Sequence, residues 1–175
     1  MTSLETKALS LEETMVKLIA YEDNDEKSEM FISRSAALLS EVVKTMLEED
    51  KEAKEIPLPN VNRKTLTVII DYLEYHKSNA PAPIEKPLKS SNMQESVCEW
   101  DYRFLSNLDL DSTFAIILAA NYMDIKSLLE LTCASIASKI KGKTPEQIRE
   151  IFNIENDFAP EEEAAIRAET AWAIE

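Results

Sequence analysis

Glycine, histidine and cysteine are scarce in this chain, and each scarcity excludes a class of site. The 175 residues include 1 Gly, 1 His and 2 Cys. A single glycine, Gly142, cannot build a phosphate-binding loop, which needs several glycines at fixed spacing. A single histidine, His76, cannot supply a multi-histidine metal site. Cys98 and Cys133 lack the spacing of a zinc knuckle or a redox pair, so we expect free thiols of an intracellular protein.

Long apolar runs and an excess of basic residues are also missing. No run of about 18 apolar residues occurs, so no membrane span is predicted, and the first residues do not resemble a secretion signal. Lys and Arg number 19 against 33 Asp and Glu, which gives a formal charge of −14. This acidity opposes binding to nucleic acids and to anionic membranes. We expect no metal, no cofactor and no enzymatic activity, although catalysis by Asp and Glu alone stays open.

The composition favours one folded domain with appendages. Hydrophobic residues make up 45% of the chain and charged residues 30%, which is typical of a globular protein. Residues 1–14 are polar, with Leu4, Ala8, Leu11 and Met15 at helical spacing. A flexible N-terminal arm is favoured over a short amphipathic helix, because isolated short helices are marginally stable.

A small sheet is predicted near the start of the chain. Residues 15–21 are rich in apolar and β-favouring side chains and predict a strand, and residues 29–32 predict its hairpin partner. The acidic residues 22–26 form the predicted turn. Residues 56–59 are extended and contain two prolines, so they predict an edge strand at best.

Helices are predicted over most of the remaining chain, because apolar residues recur at a spacing of three to four. Ser33 or Ser35 is expected to cap the first helix and Asn62 the second, while Asp111 and Asp124 are expected to cap two later ones. The apolar positions of these helices are Ala36, Leu39, Val42, Val43, Met46, Leu66, Ile69, Ile70, Leu73, residues 114–120, Ile125, Leu128, Leu129, Ile136 and Ile140.

Residues 77–95 have the composition of a linker, with alternating Ala and Pro followed by Lys, Pro and Ser. We interpret them as a flexible insert within a single domain over residues 15–143. His76 ends the helix before this insert, and it is expected to interact weakly with the helix dipole.

The last segment, residues 144–175, predicts two short helices. Thr144 to Gln147 is a capping box with Pro145 at the first helical position, and Gly142 suits a left-handed cap of the preceding helix. Short helices rarely hold themselves together, so their apolar side chains either complete the core or contact another protein, and the pattern alone leaves both open. These side chains are Ile148, Ile151, Phe152, Ile154, Phe158, Ile166 and Trp172.

From about Met15 to the end, the chain closely resembles the Skp1 family. The resemblance lies in four ordered blocks, residues 56–61 (IPLPNV), 117–126 (ILAANYMDIK), 140–149 (IKGKTPEQIR) and 152–158 (FNIENDF), and in the pair Trp100-Asp101. It implies an α/β fold that is mostly helical. A BTB/POZ-like domain with a small sheet and a helical cluster would be followed by two C-terminal helices that bind an F-box.

The resemblance also implies a function. Skp1-like proteins are non-catalytic adaptors of SCF (Skp1–cullin–F-box) ubiquitin ligases in the cytoplasm and nucleus, and they bridge a cullin to F-box substrate receptors for ubiquitin-dependent protein degradation. By residue match, Asn121 and Tyr122 would face the cullin, and Leu118, one helical turn earlier, would share that face. Pro145 is a candidate modification site, because some protist relatives hydroxylate and glycosylate this proline. The F-box contacts would be Ile136, Ile148, Ile151, Phe152, Ile154, Phe158 and Trp172.

Two alternatives remain at this point. An elongin C-like adaptor shares the BTB-like domain but lacks a tail such as residues 144–175, which disfavours it. A structural role outside ubiquitin transfer, as a homodimer of the free chain or as a kinetochore-type subunit, stays open.

The sequence also departs from the family, because Ala159 stands where threonine is common. We therefore expect the last helix to lack a side-chain cap.

Overall fold

A computed structural model of the chain describes residues 14–21, 27–50 and 55–170. The arm predicted over residues 1–14 lies outside these ranges apart from Thr14, and the turn predicted at 22–26 lies outside them altogether. The chain divides into two compact units, Met1–Lys139 and Ile140–Glu175.

The mostly helical α/β class that the sequence predicts is confirmed. The elements are β1 (Met15–Tyr21), β2 (Lys27–Ser33), α1 (Arg34–Ala37), α2 (Glu41–Glu49), β3 (Glu55–Leu58), α3 (Arg63–His76), α4 (Glu99–Ser106), α5 (Leu110–Tyr122), α6 (Lys126–Ile140), α7 (Pro145–Phe152) and α8 (Pro160–Thr170). None of the helices in the described ranges combines the length and apolar character that crossing a bilayer requires.

The sheet has three strands in the order β2-β1-β3. Strands β1 and β2 are antiparallel, with Lys17 opposite Phe31, and β3 runs parallel to β1, with Ile56 opposite Leu18. Alternate residues of β1 and β3 are buried on one face, as the period of two in a strand requires. Strand β3 lies at the edge, where Pro57 does not interrupt an inner ladder. The buried residues on this face are Val16, Leu18, Ala20, Ile32, Ile56 and Leu58.

One hydrophobic core joins the inner face of the sheet to helices of the first unit. Helix α3 is central, because it contacts both β1 and β2 and also α1 and α5. Its buried residues follow the three-to-four spacing that the sequence predicts. Helices α5 and α6 close the core with small and branched side chains. The core residues of these three helices include Leu66, Ile69, Tyr72, Leu73, Ile116, Ala119, Ala120, Leu128 and Leu131.

The first predicted helix is in fact two helices, and the predicted cap is wrong. Ser33 precedes α1 without capping it, because its N–H and hydroxyl both donate to the Glu74 carboxylate at 2.7 and 3.0 Å. Ser40 caps α2 instead, accepting from the N–H of Val43 at 3.2 Å. A cap in the middle of the apolar pattern splits the helix that periodicity alone predicts.

Two of the predicted aspartate caps are also displaced. Asp109 caps α5, accepting from the N–H of Ser112 at 2.7 Å, whereas Asp111 lies within the first turn. Asp124 has a left-handed backbone with φ of 49°, and α6 begins two residues later. The predictions for Asn62 and for Gly142 are confirmed, since Asn62 accepts from the N–H of Thr65 at 2.8 Å and the φ of Gly142 is 71°.

His76 ends α3 as predicted and is buried, while its weak interaction with the helix dipole stays a prediction. Its Nδ1 lies 2.7 Å from the carbonyl oxygen of Asn79 and its Nε2 lies 2.9 Å from Oδ1 of Asp101. Rings surround it, with Tyr72 centred 4.2 Å away and Trp100 centred 5.4 Å away. Burial raises the pKa of Tyr72 to about 12. This cluster joins the end of α3 to the start of α4 across the insert.

The insert over residues 77–95 contains a short 3₁₀ turn, Met93–Glu95. Met93 is buried in the core, and Ile84 and Leu88 are partly buried against it. These three apolar side chains pack the insert on the core of the first unit. The flexibility of the insert stays a prediction.

Candidate protein-interaction surfaces

Helix α5 presents an apolar stripe to solvent. Leu118 is 71% exposed and Phe114 is 41% exposed, and Asn121 is exposed beside them. Residues three and four apart share one side of a helix, so these three lie on the side opposite the buried Ile116. Tyr122 is half-buried at the edge of the stripe. We call Phe114, Leu118, Asn121 and Tyr122 the α5 face.

The α5 face therefore unites the three residues that the resemblance assigns to a cullin. Its length from Phe114 to Tyr122 is about 12 Å, at 1.5 Å per residue. Phe114 is the residue that sequence reasoning missed, although its position four residues before Leu118 was a usable signal. A stripe of large exposed apolar side chains is typical of a surface that another protein covers.

Helix α7 is well formed at both ends without help from a core. The Oγ1 of Thr144 accepts from the N–H of Gln147 at 3.3 Å, and the Gln147 side chain accepts from the N–H of Thr144 at 3.1 Å. Asn153 closes the helix in a left-handed conformation with φ of 52°. The predicted capping box is thus confirmed, and Pro145 occupies the first helical position.

Helix α8 begins without a side-chain cap from Ala159, but its first turn compensates. The N–H of Ala159 donates to Oε2 of Glu162 at 3.2 Å, which is one half of a capping box. Glu161, Glu162 and Glu163 occupy the first turn, where carboxylates favour the positive end of the helix dipole.

Ion pairs connect α7 to α8. Glu163 accepts from Nη1 of Arg149 at 3.1 Å and from Arg167 at 3.4 Å, and Arg167 also pairs with Glu146. The Arg149 hydrogen bond, aided by Arg167 and Asn156 and opposed by partial desolvation, holds the pKa of Glu163 below its ordinary value. Polar contacts, rather than a core, therefore hold the two helices together.

The apolar side chains of the tail are exposed or half-buried. No residue between 140 and 169 is buried, and Ile154, Phe158 and Ile166 are 55%, 46% and 42% exposed. A groove of about 610 Å³ runs between α7 and α8, with Pro145, Phe158 and Ile166 among its lining residues. We call this space the tail groove. The remaining apolar residues of the tail, Ile148, Ile151 and Phe152, are half-buried.

Two of the predicted F-box contacts lie elsewhere. Ile136 is half-buried on α6 of the first unit, and Trp172 lies outside the described residues. Cys98 and Cys133 are free thiols. Within the ranges that the structure describes, no group of three or more His, Cys, Asp and Glu side chains is placed to hold a metal ion.

Comparison with known proteins agrees with this geometry. The S-phase kinase-associated protein 1 homolog of Tetrahymena thermophila is 47% identical over 162 residues, which cover 93% of this chain and 95% of the relative. This chain belongs to the Skp1 family. The description "Skp1 family, tetramerisation domain" matches residues 16–78, and "Skp1 family, dimerisation domain" matches residues 126–173. The second match contains both tail helices of this Skp1-family protein, and its α5 face lies between the two matches.

Other relatives carry more explicit names. The "E3 ubiquitin ligase complex SCF subunit sconC" of Arthroderma benhamiae is 45% identical over 148 residues, covering 84% of this chain and 90% of the relative. "SKP1-like protein 11" of Arabidopsis thaliana is 43% identical over 159 residues, covering 91% of this chain and 98% of the relative. The Skp1-family relatives thus extend across nearly the whole chain.

Proposed function

We propose that this Skp1-family protein is the non-catalytic adaptor of an SCF-type E3 ubiquitin ligase, in which it bridges a cullin scaffold to F-box substrate receptors. The observation that carries the proposal is the exposed apolar tail, in which α8 and the connection before it present Ile154, Phe158 and Ile166 to solvent. The relative that is named as an SCF subunit supports the assignment.

The F-box binds the tail in this proposal. Full burial of a large apolar side chain contributes about 1.5–3 kcal/mol, so the six described apolar residues of the tail contribute on the order of 10 kcal/mol in total. Association costs about 4–15 kcal/mol. Contacts with Ile136 and Trp172 would add to the favourable free energy of binding. The tail groove supplies a concave seat for part of the ligand.

The cullin binds the α5 face. This face belongs to the first unit and is built on a rigid helix whose other side is in the core. A rigid helix presents its exposed side chains to the cullin in a fixed arrangement. The described residues of both surfaces offer apolar groups and ion-paired charges, rather than a nucleophile beside a general base, so the proposal assigns no reaction to the protein.

The experiment measures the affinity of separate cullin and F-box segments by calorimetry. Tyr122→Lys and Leu118→Lys should abolish cullin binding and leave F-box binding unchanged, and the double variant Phe158→Ala with Trp172→Ala should do the reverse. Leu118→Lys is the safer first variant, because this side chain is 71% exposed. Failure of the folded wild-type chain to bind any of several F-box segments would contradict the proposal. Equal weakening of both partners by both sets would contradict the two-surface arrangement.

The exposed apolar side chains of the tail also support a homodimeric state of the free chain. When no F-box is bound, we propose that two copies cover each other's tails, which agrees with the dimerisation description of the matched region. Sedimentation should show a dimer of the free chain that an F-box segment converts to a 1:1 complex. The elongin C-like alternative is disfavoured by the presence of the tail, and no observation favours a kinetochore-type role.

A further inference from the structure

The outer face of the sheet carries an apolar patch at the end where β1 begins. Side chains alternate along a strand, so the residues of β1 and β2 that do not point towards the helices form this outer face. Met15 and Phe31 belong to it and are 53% and 56% exposed. They are diagonal neighbours, because Phe31 pairs with Lys17, two residues after Met15. They therefore form a continuous patch rather than two scattered exposed residues.

The patch continues along the sheet beside a group of paired charges. Ile19 follows on the same face of β1, and the exposed Pro57 lies opposite it on β3. The Nζ atom of Lys17 lies 3.2 Å from Oε2 of Glu29 and 2.8 Å from Oε1 of Glu55. A segment can therefore cover this face without leaving the ammonium group of Lys17 without a partner.

The face is too small to hold a separate protein. Its three strands lie about 4.8 Å apart and its longer strands rise about 20 Å, so its area is roughly 200–300 Å². A specific interface buries about 800 Å² on each partner. A separate partner also loses translational and rotational freedom on binding, whereas a segment of the same chain is already held nearby by its covalent link. The area therefore favours an occupant from the chain itself.

Residues 1–13 are attached next to this patch. They precede the matched family domain, which begins at residue 16, and Thr14 joins them to Met15. The carbonyl oxygen of Thr14 accepts from the N–H of Arg34 at 2.9 Å, so the point of attachment is fixed. Ten residues of helix extend about 15 Å, which is within the length of about 20 Å that the strands provide. The other residues of the segment suffice for a reversal of the chain.

The sequence of residues 1–13 is suited to covering an apolar patch. Leu4, Ala8 and Leu11 recur at spacings of four and three, so they share one side of a helix. Thr6 and Ser10 lie on the opposite side of the same helix. An isolated helix of this length is only marginally stable. Burial of its apolar side against the sheet supplies the stabilisation that an isolated helix lacks.

We propose that residues 1–13 fold back over the outer face of the sheet as an amphipathic helix. Leu11 then lies against Met15 and Phe31, and Leu4 lies farther along β1. The chain covers this apolar patch by itself, in contrast to the tail. The inference goes beyond the proposed function and does not depend on it, because it concerns neither the α5 face nor the tail groove.

Photo-crosslinking of the full chain at monomeric concentration tests this contact. Benzoylphenylalanine at position 31 keeps an aromatic side chain there, and it should crosslink to residues 1–13 of the same chain. The matched control carries the same group at position 118 on α5, where the leucine is 71% exposed, and it should give no crosslink to residues 1–13. Mixing unlabelled and nitrogen-15-labelled chains distinguishes crosslinks within one chain from crosslinks between two chains.

Two double variants test which side of the helix faces the sheet. Leu4→Asp with Leu11→Asp places two carboxylates against the apolar patch, so it should lower the crosslink yield at position 31 at least fivefold. Thr6→Asp with Ser10→Asp adds the same charges on the opposite side of the helix, so the yield should stay within twofold. Circular dichroism should show both variants folded. Equal loss of yield in the two variants would overturn the proposed orientation and with it the inference.

A nuclear Overhauser effect between the Phe31 ring and the Leu11 methyl groups gives a second readout without the crosslinker, and its presence supports the inference. If the folded chain shows neither this effect nor a crosslink from position 31 to residues 1–13, the inference is wrong. A crosslink between differently labelled chains would identify a second copy as the occupant and would also overturn it. None of these measurements involves a cullin or an F-box, so the proposed function is tested separately.

Discussion

The two units contain the same kinds of apolar residue, but the first unit buries them and the second exposes them. In the first unit Ile69 and Ile116 are 0% and 1% exposed, whereas Ile154 and Ile166 of the second unit are 55% and 42% exposed. All four belong to short helical segments or their connections, and residue type alone does not separate them. The apolar content of a sequence thus indicates how much surface must be covered. It does not indicate whether the chain itself or another protein covers that surface.

The units also differ in what stabilises them. The first unit contains the core that joins the sheet to α3, α5 and α6. The second unit relies on the capping box at Thr144 and on the ion pair between Arg149 and Glu163. A cap contributes about 1 kcal/mol, and an ion pair that solvent still reaches contributes little. We therefore expect a partner to supply most of the free energy that fixes the tail in its bound form.

Replacing one isoleucine in each unit tests this comparison most strongly. Ile69→Ala removes a side chain that is 0% exposed and should lower the free energy of unfolding by about 2–5 kcal/mol. Ile154→Ala removes one that is 55% exposed and should change it by less than about 0.5 kcal/mol. Urea denaturation of the free chain, at concentrations low enough to keep it monomeric, measures both values.

For F-box binding, the effects of the two variants should be in the reverse order. Ile154→Ala should weaken F-box binding, while Ile69→Ala, under conditions in which it remains folded, should not. If Ile154→Ala destabilised the free chain as much as Ile69→Ala, the tail would contain a hidden core and the comparison would be wrong.

A smaller effect is expected from the buried polar contact of the first unit. Asp101→Ala leaves the Nε2 of His76 without its partner at 2.9 Å and removes the acceptor for the Cys98 thiol at 3.2 Å. A buried polar group that loses its partner costs about 1–3 kcal/mol, so urea denaturation should show a loss in this range.

The matched control for Asp101 is a carboxylate in an exposed pair. Glu85 pairs with Lys89 at 2.6 Å, with side chains that are 67% and 80% exposed. Glu85→Ala should change the free energy of unfolding by about 0–1 kcal/mol. Equal losses from Asp101→Ala and Glu85→Ala would show that the His76 contact is no more than a surface pair.

Features that depend on a few neighbouring residues could be predicted from the sequence. The apolar and β-favouring residues of β1 placed the sheet, the prolines placed β3 at an edge, and Asn62 and Thr144 were recognised as caps. Each of these follows from local sterics or from one short hydrogen bond. Helices α5 and α6 were predicted for the same reason, whereas α4 was not predicted as a helix.

Features that depend on distant residues could not be predicted in this way. Ser33 and Ser40 are equally good caps by type, and the choice is made by Glu74, which lies 41 residues from Ser33 and engages it. Asp109 and Asp111 differ by two positions in one polar stretch, so the sequence does not determine where α5 begins. The buried hydrogen bond of His76 could not be predicted either, because its partner Asp101 lies 25 residues away along the chain.

The candidate sites show the same division. The seven consecutive apolar residues at 114–120 hide the exposed side of α5, because such a run has no contrast between its faces. Leu118 was therefore identified through the family resemblance, and Phe114 was missed. For the tail, the sequence left core and interface equally open, and only the exposure of Phe158 and its neighbours decides between them.

The smallest expected effect concerns the link between the tail helices in acid. Hydrogen bonding to Arg149, together with Arg167 and Asn156, lowers the pKa of Glu163 from its ordinary value of 4.5. A carboxyl whose pKa is lowered by folding stabilises the folded form above its ordinary value, and that contribution is lost as the pH falls through the lowered pKa. The α7–α8 link should therefore persist at neutral pH and weaken only below pH 4.5.

Carbon-13 NMR of the Glu163 carboxyl measures this titration, and the Phe158 ring reports on it because Arg149 lies 5.8 Å from the ring centre. The carboxyl should titrate below 4.5, and the Phe158 signals should shift in the same pH interval. In Glu163→Gln the side chain stays polar but cannot ionise, so the Phe158 shift in that interval should disappear. A Phe158 shift that survives in Glu163→Gln would mean that other carboxylates hold the two helices together, and that the tail depends less on this ion pair than its geometry indicates.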